Sequence, residues 1–492
     1  MKEGSLLDRF IGFFSPKARY KRATYKAAAE LVRKYEAASV SKRTSGWRAM
    51  SSSANAEIET SLSTLRNRSR QLARDNPFMA RALQVITNNT VGKGIFTQIK
   101  VSNNTVRQEQ LNKIWKAWAN TTAVDYDGVH TYGGLQRLIM RSVVESGEVL
   151  VRLRRTKERS VRGPDGDVVE VPPIQLQVLE SDFLDSQMIG NDDTEAGKII
   201  QGVEFNADGK RVAYHLFKEH PGQTGLFSVS RETVRIPAEE ILHLFRVDRP
   251  GQVRGVPWGA PSLLKLRDFD DFEDAQLLRQ KIAACYSVFV RDLDVPDAGP
   301  MPLDGEVGEK LSPGTIEILP PGKDISFAQP PGVEGYGEYS RTILRGIAAG
   351  MGVSFEAMAG DYSQFNFSSG RLSFLEMNRN VQGWRSNILA PQFLNPVFEY
   401  FLNGLELLGM DTQSTRAVYT PPRREMIDPL KEVQALKESV RSGFLSQSEA
   451  IRNSGQDPQR HYEEMAEDNK KLDELGLVLD TDPRQDSSPG GV

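Results

Sequence analysis

Between Ala56 and Val91 the apolar residues Ile58, Leu62, Leu65, Leu72, Met79, Leu83 and Ile86 return at roughly helical spacing. Asn76-Pro77 interrupts the run. Asparagine caps helix N-termini and proline fits the first helical turn, so the pattern predicts two consecutive helices. Gly92-Lys93-Gly94 closes the second, and an Ile/Phe/Ile/Val alternation to Val101 predicts a strand. Leu111, Ile114, Trp115 and Trp118 then share one helix face, and a further helix is predicted from Tyr132 to Glu145, closed by Ser146-Gly147. From Glu148 to Phe245 the period shortens. Val149/Val151/Leu153, Ile174 to Leu179, Val203/Phe205, Val212 to Phe217 and Ile241 to Phe245 read as strands. Gly163-Pro164-Asp165-Gly166-Asp167 and Asn206-Ala207-Asp208-Gly209 read as hairpin turns, and a mixed sheet is expected.

Pro257 to Ala284 returns to helix, long and amphipathic, with Leu263, Leu266, Phe269, Phe272 and Leu278 along it and acids at Asp268, Asp270, Asp271, Glu273 and Asp274. A Pro/Gly-rich insert follows from Asp292 to Gly335, with short strands expected around Tyr286 to Val290 and Thr315 to Leu319. Helix resumes from Tyr336 to Met351, breaks at the polar aromatic segment Asp361 to Ser369, and continues from Arg371 to Leu408. Pro429 to Leu477 is helical and acidic, and Thr481 to Val492 reads as a disordered tail.

Composition narrows the function classes. The chain has 492 residues, 39% hydrophobic and 26% charged, enough for about three cooperative units. A net charge of -3 excludes a surface that is basic all over, so any DNA contact is local or weak. The exception is the first 48 residues, a basic arm running from Lys2 to Arg48; it reads either as a binder of nucleic acid or acidic partners or as a solvated end. Cys285 is the lone cysteine, which excludes an intramolecular disulfide or a CxxC site and fits a reducing compartment. No run of about 18 apolar residues predicts a membrane span, and no signal peptide is expected.

Candidate chemistry is sparse. Val91-Gly92-Lys93-Gly94-Ile95 lacks both the spacing and the hydroxyl of a phosphate-binding loop, and reads as a helix cap before a strand. Carboxylates between Asp268 and Asp274 could hold Mg²⁺ for nuclease chemistry, but consecutive acids on one helix point in different directions and no second ligand set accompanies them. His243 lies within Ile241-Leu242-His243-Leu244-Phe245, where a hydrogen-bonded structural histidine is expected over a catalytic one. Trp115 and Trp118 are expected in the core rather than as a stacking platform. No catalytic, cofactor or metal residue is assigned.

Several segments, in order, resemble the portal proteins of lambda-type tailed phages. They are Asn76-Pro77 through Val91-Gly92-Lys93-Gly94-Ile95, Glu145-Ser146-Gly147-Glu148-Val149-Leu150, Leu176 to Asp182, Gly202-Val203-Glu204, Ile241 to Phe245, Arg249-Pro250-Gly251-Gln252-Val253-Arg254-Gly255-Val256-Pro257, Gly360-Asp361-Tyr362, and Ser368-Ser369-Gly370-Arg371. The resemblance covers about Arg74 to Leu477 and implies an α+β portal fold closing into a ring, most often of twelve subunits. It implies an arm at 1–55, a wing at 56–256, a stem helix at 257–284, a clip at 285–335, a second stem helix at 336–353 and a tunnel loop at 354–370. A long wing helix and return segment at 371–424, a helical crown at 425–480 and a tail at 481–492 complete the division.

The resemblance also implies roles. Tyr362, Ser363, Gln364 and Asn366 would line the DNA channel, and Asp270, Asp271, Glu273 and Asp274 would be the channel-facing part of the stem. The implied partners are further copies of the chain, the large terminase subunit, a head-tail connector or adaptor, the major capsid protein and scaffold, and double-stranded DNA passing without sequence specificity. The resemblance further implies no membrane, no cofactor and no enzymatic activity, and a place at the capsid portal vertex of the virion after assembly in the host cytoplasm. The alternative is a metal-dependent nuclease or other DNA-processing enzyme built on Asp268 to Asp274.

Overall fold

The computed structural model describes residues 51–157, 159–192, 197–223, 231–284, 288–292, 323–327, 335–363, 366–423, 428–477 and 479, with scattered positions among the first 50. The tail from Thr481, the strand expected at Thr315 to Leu319, most of the 285–335 insert, Gln364 and Phe365 lie outside the described residues. Met1–Ser53 form a unit of their own. Of the basic arm, helical positions are described at Lys17, Tyr20, Lys21, Thr24 and Tyr25, where the Thr24 hydroxyl lies 2.8 Å from the Lys21 carbonyl.

The second unit opens with helices α1 (Ala54–Asp75) and α2 (Pro77–Thr90). Asn76 divides them as expected, accepting from the Met79 N–H at 2.9 Å while Pro77 occupies the first turn. Strand β1 (Phe96–Val101) and helices α3 (Thr105–Ala119) and α4 (Tyr132–Ser146) follow. Trp115 and Trp118 are core residues: both are buried and meet Tyr132 and Phe401 with ring centroids 4.8–6.2 Å apart.

Strand β2 (Glu148–Arg155) comes next, then the hairpin β3 (Ser160–Arg162) and β4 (Val168–Glu170), and β5 (Ile174–Glu180). β6 (Gly190–Asp192), β7 (Gly197–Ile200), β8 (Val203–Phe205), β9 (Arg211–Phe217) and β10 (Thr233–Pro237) form one sheet in the order β10-β9-β8-β7-β6. β11 (Ile241–Phe245) joins β2 and β5 in another, with β2 central. The expected mixed sheet is corrected here: every ladder in both sheets is antiparallel. The physical reason is connection length, because short turns join β7 to β8 and β8 to β9, and the β3–β4 excursion turns the chain back from β2 to β5 without a crossover helix.

The three-stranded sheet is a wall between two cores. Val149, Val151 and Leu153 face the larger one with Leu176, Leu244 and the helices; Leu150 and Ile241 face a smaller one with Leu184, Val203, Tyr214, Leu216, Ile236 and Val253. Alternation along β2 thus buries both faces, which accounts for its nearly unbroken apolar start.

Helices α5 (Leu263–Ala284) and α6 (Tyr336–Met351) run on from this body, and β12 (Val288–Asp292) pairs with β13 (Lys323–Phe327) between them. The expected amphipathic character of α5 holds only at its start. Leu263, Leu266 and Phe269 are buried and Phe272 is half-buried against the core, but the stripe continues at the polar Glu273 and Gln276, while Leu264, Leu277 and Leu278 are exposed. The 354–370 segment contains a short helix α7 (Phe355–Ala359), and helix resumes at α8 (Phe367–Trp384), four residues before the expected Arg371. It continues through a π-helical stretch, Arg385–Leu394, into α9 (Asn395–Glu406). Pro391 lies inside that stretch, and a wider turn accommodates a ring and a missing N–H that an α-helix would not. Strand β14 (Thr415–Thr420) pairs antiparallel with β1, and helices α10 (Pro429–Arg441), α11 (Gln447–Asn453) and α12 (Pro458–Leu475) end the described chain as expected. No described helix is long and apolar enough to cross a membrane.

Side-chain amides close strand edges that no strand covers. Asn112 takes both the N–H and the carbonyl of Ile99 (2.9 and 2.8 Å), Gln136 does so for Ile95 (2.7 and 3.1 Å), and Gln392 for Phe245 (2.9 and 3.1 Å). Each amide offers one acceptor and two donors, so it can stand in for a missing neighbour at one residue.

The tightest backbone approach lies where α4 turns into β2. Gly147 has φ +91°, and a Cβ on Gly255 would sit 2.2 Å from the Gly147 carbonyl oxygen and 2.6 Å from the Phe245 Cβ. Gly255→Ala is therefore expected to cost at least about 3 kcal/mol, since neither backbone can retreat from the other. Gly209→Ala meets open space at φ +78° and is expected to cost about 1 kcal/mol. Thermal melts of the two full-length variants check the contrast; equal melting temperatures would show that the contact is slack.

Candidate functional site

Glu148, the first residue of β2, is fully buried and carries a charge. Arg254 grips its carboxylate, Nη2 to Oε1 at 2.6 Å and Nε to both oxygens at 3.0 and 3.1 Å. Arg66 of α1 adds a bond to Oε1 at 2.9 Å, and the Gly255 N–H donates to Oε2 at 2.8 Å. His243 of β11 stands 3.0 Å away on Oε2. Burial alone would raise the Glu148 pKa, but the Arg254 charge, with His243, holds it well below the usual carboxylate range.

His243 is structural, in line with the sequence expectation. A carboxylate can only accept, so the ring hydrogen is on Nε2, and Nδ1 is a buried lone pair with no partner among the described residues. Protonation would place an N–H where nothing accepts it. Burial lowers the His243 pKa accordingly, against the pull of Glu148.

The cluster extends outward through Asp182, which lies 3.4 Å from Arg66 and 2.6 Å from Arg70. Burial would raise the Asp182 pKa, but Arg66 and Arg70 hold it low. Arg254 Nη1 also donates to the Gln201 carbonyl at 3.0 Å. One charged group therefore ties α1, both sheets and the loop before α5. In the sequence Glu148, His243 and Arg254 stand in three separate motifs, and Arg66 carries no signal beyond its place in a helix.

That junction sets the root of α5 and α6. Beyond Gly255 the Trp258 N–H donates to the Val144 carbonyl at 3.1 Å, and its ring lies 4.9 Å from that of Trp384. The Ser262 hydroxyl lies 3.3 Å from the Ile347 carbonyl on α6, and a Cβ on Gly350 would strike it at 2.2 Å. Along α5 the expected acidic set divides. Asp270 accepts from Asn76 at 2.7 Å, with its pKa raised by burial, and Glu273 accepts from the Tyr336 hydroxyl at 3.0 Å. Asp271 and Asp274 are exposed, Asp271 in an ion pair with Arg267 at 3.2 Å.

The loop after α7 is held from α6. Arg341 Nε reaches Asp361 at 2.9 Å and Nη2 reaches the Ser363 hydroxyl at 3.2 Å, while Ser363 donates from its backbone N–H (3.0 Å) and hydroxyl (2.6 Å) to Asp361. Those Ser363 bonds, and then Arg341, lower the Asp361 pKa. Tyr362, Ser363 and Asn366 are exposed; Gln364 is outside the described residues. Arg341 is a functional candidate that the loop's own sequence could not reveal, since it comes from a helix 20 residues earlier.

Among the described residues one carboxylate–histidine group comes within reach of a single ion: Glu180, Asp182 and His220. Arg70 already lies on both carboxylates, at 3.2 and 2.6 Å, and supplies the positive charge a metal would bring. The acids of α5 do not join any such group.

A family model described as phage portal protein, lambda family, matches residues 40–385. The probable portal protein of Halomonas phage phiHAP-1 is 24% identical over 478 residues, covering 91% of this chain and 88% of that one. The portal protein of Escherichia phage N15 is 21% identical over 486 residues, 88% of each, and portal protein B of Escherichia phage lambda is 22% identical over 320 residues, 56% of this chain and 59% of that one. The chain belongs to the lambda family of phage portal proteins.

Stability should follow the Glu148 junction. Glu148 and His243 both bind protons less readily when folded than at their ordinary values of 4.5 and 6.5. The unfolded chain takes up the extra protons, so stability is lost as pH falls, below 6.5 through His243 and below 4.5 through Glu148. Glu148→Gln leaves two guanidiniums short of a counter-charge and is expected to lose about 3–5 kcal/mol near pH 7.5. His243→Gln should flatten the loss between about pH 6.5 and 5. Urea titrations at several pH values check both; an unchanged acid limb in His243→Gln would show that the imidazole does not titrate with unfolding.

Proposed function

We propose that this chain is the subunit of a twelve-membered ring at one vertex of a phage head, through which double-stranded DNA is packaged and later ejected. Its family match over residues 40–385 carries this reading. The ring docks the terminase motor during packaging and the head-tail connector afterwards, and meets the capsid protein and scaffold at its rim. Residues 56–256 act as wing, α5 and α6 as stem, the 285–335 insert as clip, 371–424 as the long wing helix with its return, and 425–480 as crown.

A conduit must keep a polyanion aligned without holding it. Each phosphate paired with Lys or Arg releases counterions and adds affinity, so a bore of many bare cations would stall the strand. The reading gives Asp271 and Asp274, with Asp270 and Glu273 behind them, the role of an acidic stem face. It gives Tyr362, Ser363, Gln364 and Asn366 the role of a channel loop that touches phosphates through neutral groups.

Purified chain should elute near twelve times its 54.9 kDa mass, and electron micrographs should show rings with a central hole. A species no larger than a tetramer at assembly concentrations would sink the ring. A second measurement addresses the loop: in a Cys285→Ser background, Asn366→Cys should crosslink to thiol-reactive DNA threaded through the ring, whereas Asp165→Cys should not. Equal labelling at both positions, with no protection by DNA, would place the loop outside the channel.

A further inference from the structure

We propose that Arg341 is a DNA-phosphate contact of the channel, with its charge offset by Asp361 so that it touches the passing backbone without capturing it. The proposal rests on reading the segment around Tyr362 as the channel loop. Arg341 projects from α6 to that segment and is 39% exposed. Its Nε and Nη2 are taken by Asp361 and Ser363, and Nη1 has no partner among the described residues. A guanidinium has five N–H donors, so the two on Nη1 are open to a further acceptor.

The carboxylate beside it is well fixed. Asp361 accepts from both the backbone and the hydroxyl of Ser363, and those bonds favour its ionised form. The Ser363 hydroxyl, having given its hydrogen to Asp361, presents lone pairs to Arg341. The cluster is closed, with one positive and one negative charge, and the guanidinium edge remains accessible. Arg345, one turn further along α6, lies over the Phe355 ring at 5.4 Å, whereas Arg341 reaches Asp361 and Ser363 beyond α7.

A phosphate oxygen reaching Nη1 gains a charge-assisted hydrogen bond, while the neighbouring carboxylate repels the same phosphate. Contact strength then lies between that of a bare arginine and that of a neutral donor. Repeated around a ring, this difference decides whether DNA slides or sticks, because each full cation–phosphate contact steepens the salt dependence by nearly one unit of log K per log salt.

A merely structural tie and a tuned contact make different predictions. Breaking either partner of a tie has the same effect, whereas removing the anion and removing the cation of a contact have opposite effects. The experiment measures binding of a short DNA duplex to full-length rings across a salt series, with elution volume as the assembly control. Asp361→Asn should tighten binding at least about threefold and steepen the salt slope, Arg341→Gln should weaken it by a similar factor and flatten the slope, and Arg341→Lys should retain binding. Shifts in the same direction for Asp361→Asn and Arg341→Gln would overturn the proposal in favour of a structural tie. If neither shifts while Asn366→Cys still crosslinks to threaded DNA, the proposal fails and the channel loop stands; loss of that crosslink with intact rings overturns the loop and the contact together.

Discussion

A carboxylate with no access to water cannot remain charged unless cations and donors surround it, and the whole body of this subunit is arranged to surround Glu148. Two arginines, one histidine and one backbone N–H converge on it from positions scattered between Arg66 and Gly255. Desolvating such a cluster is costly, and well-packed apolar residues of the same size often give equal or greater stability. What the cluster supplies instead is uniqueness. An apolar junction tolerates small slides, whereas a bidentate guanidinium–carboxylate pair fixes two strands, a helix and a loop in one register.

α5, α6 and the loop after α7 inherit that register. Gly255 both donates to Glu148 and presses on Gly147, so the segment that becomes α5 leaves the body from a point fixed by a buried hydrogen bond and a close backbone contact. α5 in turn is locked at its root to α6 by Ser262 and Gly350, and α6 carries Arg341 to the loop. In the proposed ring every channel side chain must sit at the same radius and height, and a continuous line of contacts from the buried charge to the loop suits that requirement.

Much of this was legible in the chain, for reasons that differ by element. The break at Asn76-Pro77, the cap at Gly147 and the helix from Tyr336 to Met351 are local events, decided by residues within a turn of one another, and all stand where the pattern placed them. The antiparallel order of the sheets was not legible, because alternation reports which face is buried and says nothing of the neighbour's direction. α5 misled for a related reason: Leu278 lies off the stripe begun by Leu266 and Phe269, and Leu277, about three turns on from Leu266, is exposed, so counting leucines along the helix overstates its buried face. The arginine at 341 and the carboxylate at 361 are joined only by the fold, as are the four residues of the Glu148 junction. Motif order pointed to the family, and spatial convergence explained why those motifs contain the residues they do.

The pairing of β1 with β14 joins segments about 320 residues apart. On the ribosome, β1 emerges early with one edge served by Asn112 and the other waiting for a partner that is not yet made. At roughly 5–20 residues per second, the wait is on the order of half a minute. The body therefore closes only after α5 and α6 have been synthesised. Until β14 is made the second edge of β1 stays unpaired, so a chain stopped short of Thr415 carries an open strand edge in place of a finished flank.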